Sequence, residues 1–190
     1  GSLVMRFPHF ANDKFFHFLG LFSFFLVMIL ALRASVYAPF HNWDVIGYIA
    51  SAKSFELYDI KDIHDFTYKT IKNNLPKEKY EALVTGNYGA VISQDSRAFS
   101  EQLPFYQIRP VYNFLIFILH KVGVDIIFAT HIISGVSVVL GLFALYFMGY
   151  RRLWPPLIPA VSVISIIFGV VELARFSTPD GLAFMLSHPQ

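Results

Sequence analysis

The sequence predicts an all-α integral membrane protein with about three to four membrane helices and an extracytoplasmic loop carrying short amphipathic helices. Three observations predict this class. Of the 190 residues 55% are hydrophobic and 17% aromatic, and the mean hydropathy is +0.53, well above that of an ordinary soluble domain. Residues 15–36 carry one charge, Arg33. Sixteen of the 28 charged residues lie between Pro39 and Arg109, so the apolar and polar parts of the chain are segregated.

Residues 1–14 form a short N-terminal segment, of which Gly1 and Ser2 read as a cloning remnant. The first membrane helix is expected over 15–38. At 1.5 Å rise per residue, about 22 residues cover roughly 33 Å, and a hydrocarbon core is about 30 Å thick. The run is too long and too rich in Phe and Leu for a cleaved leader, so it is read as retained. Residues 39–108 form the water-facing loop. Within it Ile46, Ile49, Ala50 and Leu57, then Ile60, Ile63 and Ile71, recur at helical spacing. Pro76 opens another helix reaching about Val84, and 87–102 is expected to be loop.

The second apolar block occupies 109–190. Residues 110–122 are too short to span, since about 13 residues of helix reach only about 20 Å. Residues 126–148 form a second spanning helix, with Ser134, Gly135, Ser137 and Gly141 suited to close helix contacts. Residues 155–171 form a third. A polar stretch, 175–180, follows.

Several classes are excluded or weakened. A net charge of +2, without a basic stripe, argues against nucleic acid as a partner. The chain has no cysteine, which removes thiolate chemistry and leaves only His and carboxylates as metal ligands. His120 and His131 lack ligand spacing and read as structural, and no metal site is assigned.

Charge also orients the chain. Arg151 and Arg152 in a short connection should face the cytoplasm with Arg6 and Lys14. Residues 39–107 then lie outside, provided that 110–122 does not cross completely. On this topology Asp44 and Asp180 meet Arg109 and Arg175 at one interface. Guanidinium groups pair bidentately with phosphate, and a carboxylate can take a proton from an incoming nucleophile. Lys53, on the polar side of its helix, could also approach phosphate, and His41 is close enough to Asp44 in sequence to share a site.

Asn42-Trp43-Asp44 with Tyr48 four residues on, the water-facing loop, Arg109-Pro110, a short helix ending Lys-Val-Gly-Val-Asp, a small-residue helix ending in Arg151-Arg152, and Arg175 five residues before Asp180 form an ordered set. This order resembles the first half of the GT-C superfamily of membrane glycosyltransferases, with aminoarabinose transferases and protein O-mannosyltransferases as the nearest patterns. The resemblance implies inverting transfer of a sugar from a polyprenyl-phosphate carrier to an acceptor, whose identity stays open, at the outer face of a membrane. That membrane is the bacterial inner membrane, or the ER membrane in a eukaryote. It implies Asp44 as general base and Asp180 as a second catalytic acid. It assigns Arg109 to the lipid phosphate and places Arg175 with Asp180 as a further phosphate contact; Lys53 joins the phosphate candidates, and His41 and Tyr48 the substrate candidates, from their positions near Asp44. In some members the second acidic motif helps bind a divalent cation, Mg or Mn. Val45 stands where many members carry a second acid, which weakens the case for metal here. Members generally have many more spanning helices, so the expectation is either an N-terminal fragment that packs against further membrane helices or a small relative lacking the half that completes the substrate cavity.

Plainer roles compete. Asp44 could be a solvated cap, Asp180 the N-cap of a helix starting at Gly181, and Arg109 and Arg175 snorkelling side chains. The alternative function is a non-catalytic membrane subunit that packs against a partner protein. A transporter is disfavoured, because the long apolar runs carry almost no mid-helix charge.

Overall fold

A computed structural model of the chain describes residues 13–39, 41–152, 159–160, 162–164 and 169–175. All regular structure among the described residues is helical. In order the helices are α1 (Asp13–Tyr37), α2 (Asp44–Lys53), α3 (Ile60–Asn74), α4 (Lys77–Val84), α5 (Asn87–Gln94), α6 (Ser96–Ser100), α7 (Leu103–Gln107), α8 (Pro110–Lys121), α9 (Ile126–Arg152) and α10 (Val170–Arg175). Most of the apolar run at 155–171, and all of 176–190 with Asp180, lie outside the described residues.

Local chemistry sets the boundaries. Asp59 accepts a hydrogen bond from the Lys61 amide at the start of α3, and Asp95 accepts one from Arg97 at the start of α6. Both are side-chain caps for amides that a helix leaves unpaired. Pro110 begins α8, where its missing N–H costs nothing. The chain then reverses through Gly123 at φ 97°, a conformation that disfavours any side chain. Asp125 accepts from the Phe128 amide to start α9.

The expected loop at 87–102 is instead the pair α5 and α6. Thr85-Gly86 does end α4, but Gly86, at φ 87°, turns the chain and the next helix starts at once. Burial of Ile92 and Phe99 gives both short helices an apolar side that no long periodicity announces.

α1 and α9 run antiparallel. Near the end of α1, Ser35 donates to the His131 carbonyl at 2.7 Å, while farther back Phe24 stacks on Tyr146 with ring centroids 4.5 Å apart. Gly135 makes the approach possible, because a Cβ there would lie 2.7 Å from that of Ser35. α10 packs against both helices, with Ala174 fully buried.

The second body of packing surrounds α2. Every residue from Val45 to Lys53 is buried, against α3, α7, α8 and α9. Tyr48, Ile49, Ile71, Phe99, Tyr112 and Ile116 share this core. At its far end Glu56 takes hydrogen bonds from Lys53 and Lys121, each at 2.7 Å. These bonds, Lys121 first and then Lys53, hold the Glu56 carboxyl down to about 2.

The outer surface is apolar along whole helices. On α1, Phe15, Phe18, Phe22, Phe25 and Ile29 repeat at alternating intervals of three and four residues and are all exposed. Val136, Leu140, Phe143 and Phe147 do the same on α9. Lys14–Tyr37 and Ile126–Ala144 are long and apolar enough to cross a membrane.

Gly135→Val should force α1 away from α9 and destabilise the fold by about 1–3 kcal/mol, the usual cost of overpacking. Thermal unfolding in detergent, followed by circular dichroism, would register this as a lowered midpoint.

Candidate functional site

Asp44 is the first residue of α2, where the helix dipole favours a carboxylate. It is only partly buried. Asn42 donates its Nδ2 to Asp44 Oδ2 at 2.8 Å, and the Tyr106 hydroxyl donates to Oδ1 at 3.3 Å. An ionised carboxylate offers about four acceptor positions, so these two bonds orient the group and leave acceptor capacity free.

Tyr106 comes from α7, far away in sequence, and Gly47 explains how it reaches Asp44. The Tyr106 ring fills the space that a Cβ on Gly47 would need. One residue further along α2, Tyr48 is 2% exposed, with Tyr106 and Tyr112 edge-on to its ring at centroid distances of 5.1 and 4.9 Å. Burial, then the nearby Asp44, pushes the Tyr106 hydroxyl up to about 12, and burial raises that of Tyr48 as well. Both tyrosines therefore hold their protons at neutral pH, and Tyr106 donates its proton to the bond with Asp44.

Arg109 stands at the N-terminus of α8, exposed, with its guanidinium donating to the Phe105 carbonyl at 3.4 Å. Its charge lies near enough to Tyr48 and Tyr106 to oppose their upward shifts. Three of the residues singled out from sequence, Asp44, Tyr48 and Arg109, are thus gathered by α2, α7 and the start of α8.

Beside them opens a cleft of ≈ 440 Å³ walled by Trp43, Tyr88, Phe105 and Tyr106, with Thr85, Asn87 and Gln102 adding polar groups. Trp43 and Tyr88 are tilted rings 6.1 Å apart. Gly89 leaves room for Trp43, since a Cβ there would come within 2.6 Å of the indole.

His41 is not bonded to Asp44. Its Nδ1 lies 3.1 Å from Nε2 of His131 on α9, next to a small cavity of ≈ 120 Å³ that Ser35, Asn74 and Asp125 also line. Arg175 joins this end of the bundle, donating its Nε to the Ala38 carbonyl at 2.6 Å. It is bonded to Ala38, six residues before Asp44 in the chain, and not to Asp44 itself.

Lys53 departs from expectation. It was expected on a polar helix side, but α2 has none beyond Asp44, and Lys53 is only 9% exposed. Its ammonium pairs with Glu56 at 2.7 Å and sits 4.3 Å from the centre of the Phe66 ring. Nine residues of helix, about 13 Å at the helical rise, separate it from Asp44. Charge neutralisation within the core accounts for its position.

Tyr106, Asn42, Gly47 and the His131 partner of His41 were not singled out by sequence. Asn42 stands in the Asn-Trp-Asp motif and Gly47 lies between Asp44 and Tyr48, whereas nothing local marks Tyr106 or His131. Among the described residues no three His, Asp or Glu side chains converge to hold a metal ion, and Asp180 lies outside them. The chain matches no family model, no curated protein and no solved structure.

Burial, and then the positive charge of Lys79, holds His41 below its ordinary value of 6.5. His131 and Asp125 are the other titratable groups of that cavity. Because the folded imidazole resists protonation, the unfolded chain binds the proton first as pH falls. The His41 contribution is therefore full above about pH 6.5 and is lost as pH drops toward the lowered folded value. Unfolding midpoints measured from pH 7.5 to 5 should decline on the acid side, with a shallower decline in His41→Gln.

Proposed function

We propose that the chain is the first module of a membrane glycosyltransferase. It moves a sugar from a polyprenyl-phosphate carrier to an acceptor hydroxyl at the extracytoplasmic face, with inversion. The single observation that carries this reading is the oriented carboxylate of Asp44. It is held by Asn42 and Tyr106, keeps acceptor capacity, and is joined through Tyr106 to the wall of an open cleft.

The chemistry follows from those groups. The acceptor O–H gives its proton to Asp44 while its oxygen bonds to the anomeric carbon. The bond from that carbon to the phosphate oxygen breaks, and the electron pair leaves on the polyprenyl phosphate. Arg109 faces the charge that grows there, where a guanidinium fork matches phosphate oxygens. Tyr106, protonated throughout, keeps Asp44 aimed. Asp180 and Arg175 are retained in the proposal as the second acidic motif of the same face.

Membrane insertion belongs to the same reading. Its support is the exposed apolar stripe on each of α1 and α9, in helices long and apolar enough to cross a membrane. α8, with 12 residues, is about 18 Å long. It packs beside α2 and α9 without needing to cross. Arg151 and Arg152 then mark the cytoplasmic side, in a bacterial inner membrane or, in a eukaryote, the ER.

With the protein in its native length and a polyprenyl-phosphate sugar as donor, Asp44→Asn should lower kcat by about 10²–10⁴-fold while leaving the unfolding midpoint unchanged. Arg109→Ala should raise KM for the lipid-linked sugar by about 10–100-fold, the effect of one charge-assisted contact. Transfer by Asp44→Asn equal to wild type would remove Asp44 from the mechanism and leave a non-catalytic membrane subunit as the reading.

A further inference from the structure

The cleft beside Asp44 has walls of a particular kind. Tyr88 and Phe105 are 60% and 72% exposed, so two rings are left uncovered at its rim. The other two are fixed in place: Trp43 is seated on Gly89 and Tyr106 on Gly47. Aromatic faces rigidly held in this way present apolar area at little entropic cost on binding.

Polar groups interrupt the walls. Thr85, Asn87 and Gln102 line the same space. Among the described residues Gln102 Nε2 is buried without a hydrogen-bond partner. Asp44 stands behind one wall, holding the hydroxyl of the lining residue Tyr106. A lipid tail in this cleft would cover amide and hydroxyl groups without pairing them, at a cost in desolvation. A flat aromatic ligand would leave the carboxylate unused. A pyranose satisfies both kinds of surface, since it has a C–H face that packs on aromatic rings and a rim of hydroxyls that pairs with carboxylate and amide groups. The volume of ≈ 440 Å³ falls in the usual range for small-molecule sites.

We propose that this cleft is the acceptor subsite and that the acceptor is a saccharide, its pyranose ring stacked on Trp43, Tyr88 and Phe105 with the nucleophilic hydroxyl directed at Asp44. The proposal rests on the transferase reading and adds the chemical class of the acceptor. The proton passes from that hydroxyl to Asp44, and the new glycosidic C–O bond replaces the C–O bond to the carrier phosphate.

Trp43 is one of only two tryptophans, so intrinsic fluorescence reports on the cleft directly. The native-length protein in lipid nanodiscs, free of sugar-based detergent, is titrated with methyl glucoside, methyl galactoside and methyl mannoside, and separately with a sugar-free prenyl phosphate. At least one neutral glycoside should give a saturable change, weakened at least tenfold in Tyr88→Ala/Phe105→Ala. Both positions are exposed, so circular dichroism should show the fold retained. Loss of the signal with every neutral glycoside, an unchanged affinity in the double variant, or a response to prenyl phosphate alone would each overturn the saccharide subsite. Transfer by wild type to a non-saccharide acceptor, with no glycoside binding, overturns this inference and leaves the transferase. Saturable glycoside binding without any transfer keeps the subsite and overturns the transferase.

Discussion

The structure depends on the complete burial of one short helix. α2 has ten residues, nine of them buried, and a helix that short is not stable by itself in water. It persists because α3, α7, α8 and α9 cover it from every side. That enclosure leaves its two charged ends as the problem to be solved. Asp44 sits in the first turn and Lys53 in the last, the signs that the helix dipole favours. Each then needs a partner, because a buried charge without one is costly. Lys53 is paired at the edge of the core with Glu56 and lies over the Phe66 ring. Asp44 is held by two neutral donors and stays partly open to the outside, which is the difference between a structural charge and a chemically available one.

The same enclosure explains the aromatic surroundings. Gly47 lets Tyr106 lie directly on the α2 backbone, and Tyr48 fills the space between Tyr106 and Tyr112. The ring cluster therefore transmits the position of α2 to α7 and α8, and with it the position of Arg109. At the other side of Asp44, Trp43 leads into the cleft. His41 two residues earlier turns back to His131 on α9, so the few residues between α1 and α2 link the long-helix pair to the α2 core. The Ser35 bond to the His131 carbonyl and the close seat at Gly135 secure that link from the α1 side. Site and bundle are for this reason mechanically one unit at this end.

Long elements were legible in the sequence because hydrophobic runs of about twenty residues have one economical structure, the helix, in a medium without competing hydrogen bonds. The short helix at Pro110 was legible from its Pro start and its length. α5, α6 and α7 were not, since five to eight residues show too little periodicity and the apolar side of each is defined only by what it packs against. Of the candidate site, Asp44, Tyr48 and Arg109 could be picked out by residue type and order. Lys53 was misplaced because its helix was read as half-exposed, whereas packing surrounds it.

By itself, the sequence determined the helical class, the two long apolar helices, the segregation of charge between Pro39 and Arg109, and the placing of Asp44 just beyond the first of them. Those follow from local hydrophobicity and chain stiffness, which act over a few turns. Only the tertiary structure decided that Tyr106 would meet Asp44 across 62 positions, that His131 would meet His41 across 90, and that Trp43, Tyr88 and Phe105 would face one cleft. Contacts at such separations come from how buried surfaces fit together, and residue order does not encode that fit locally.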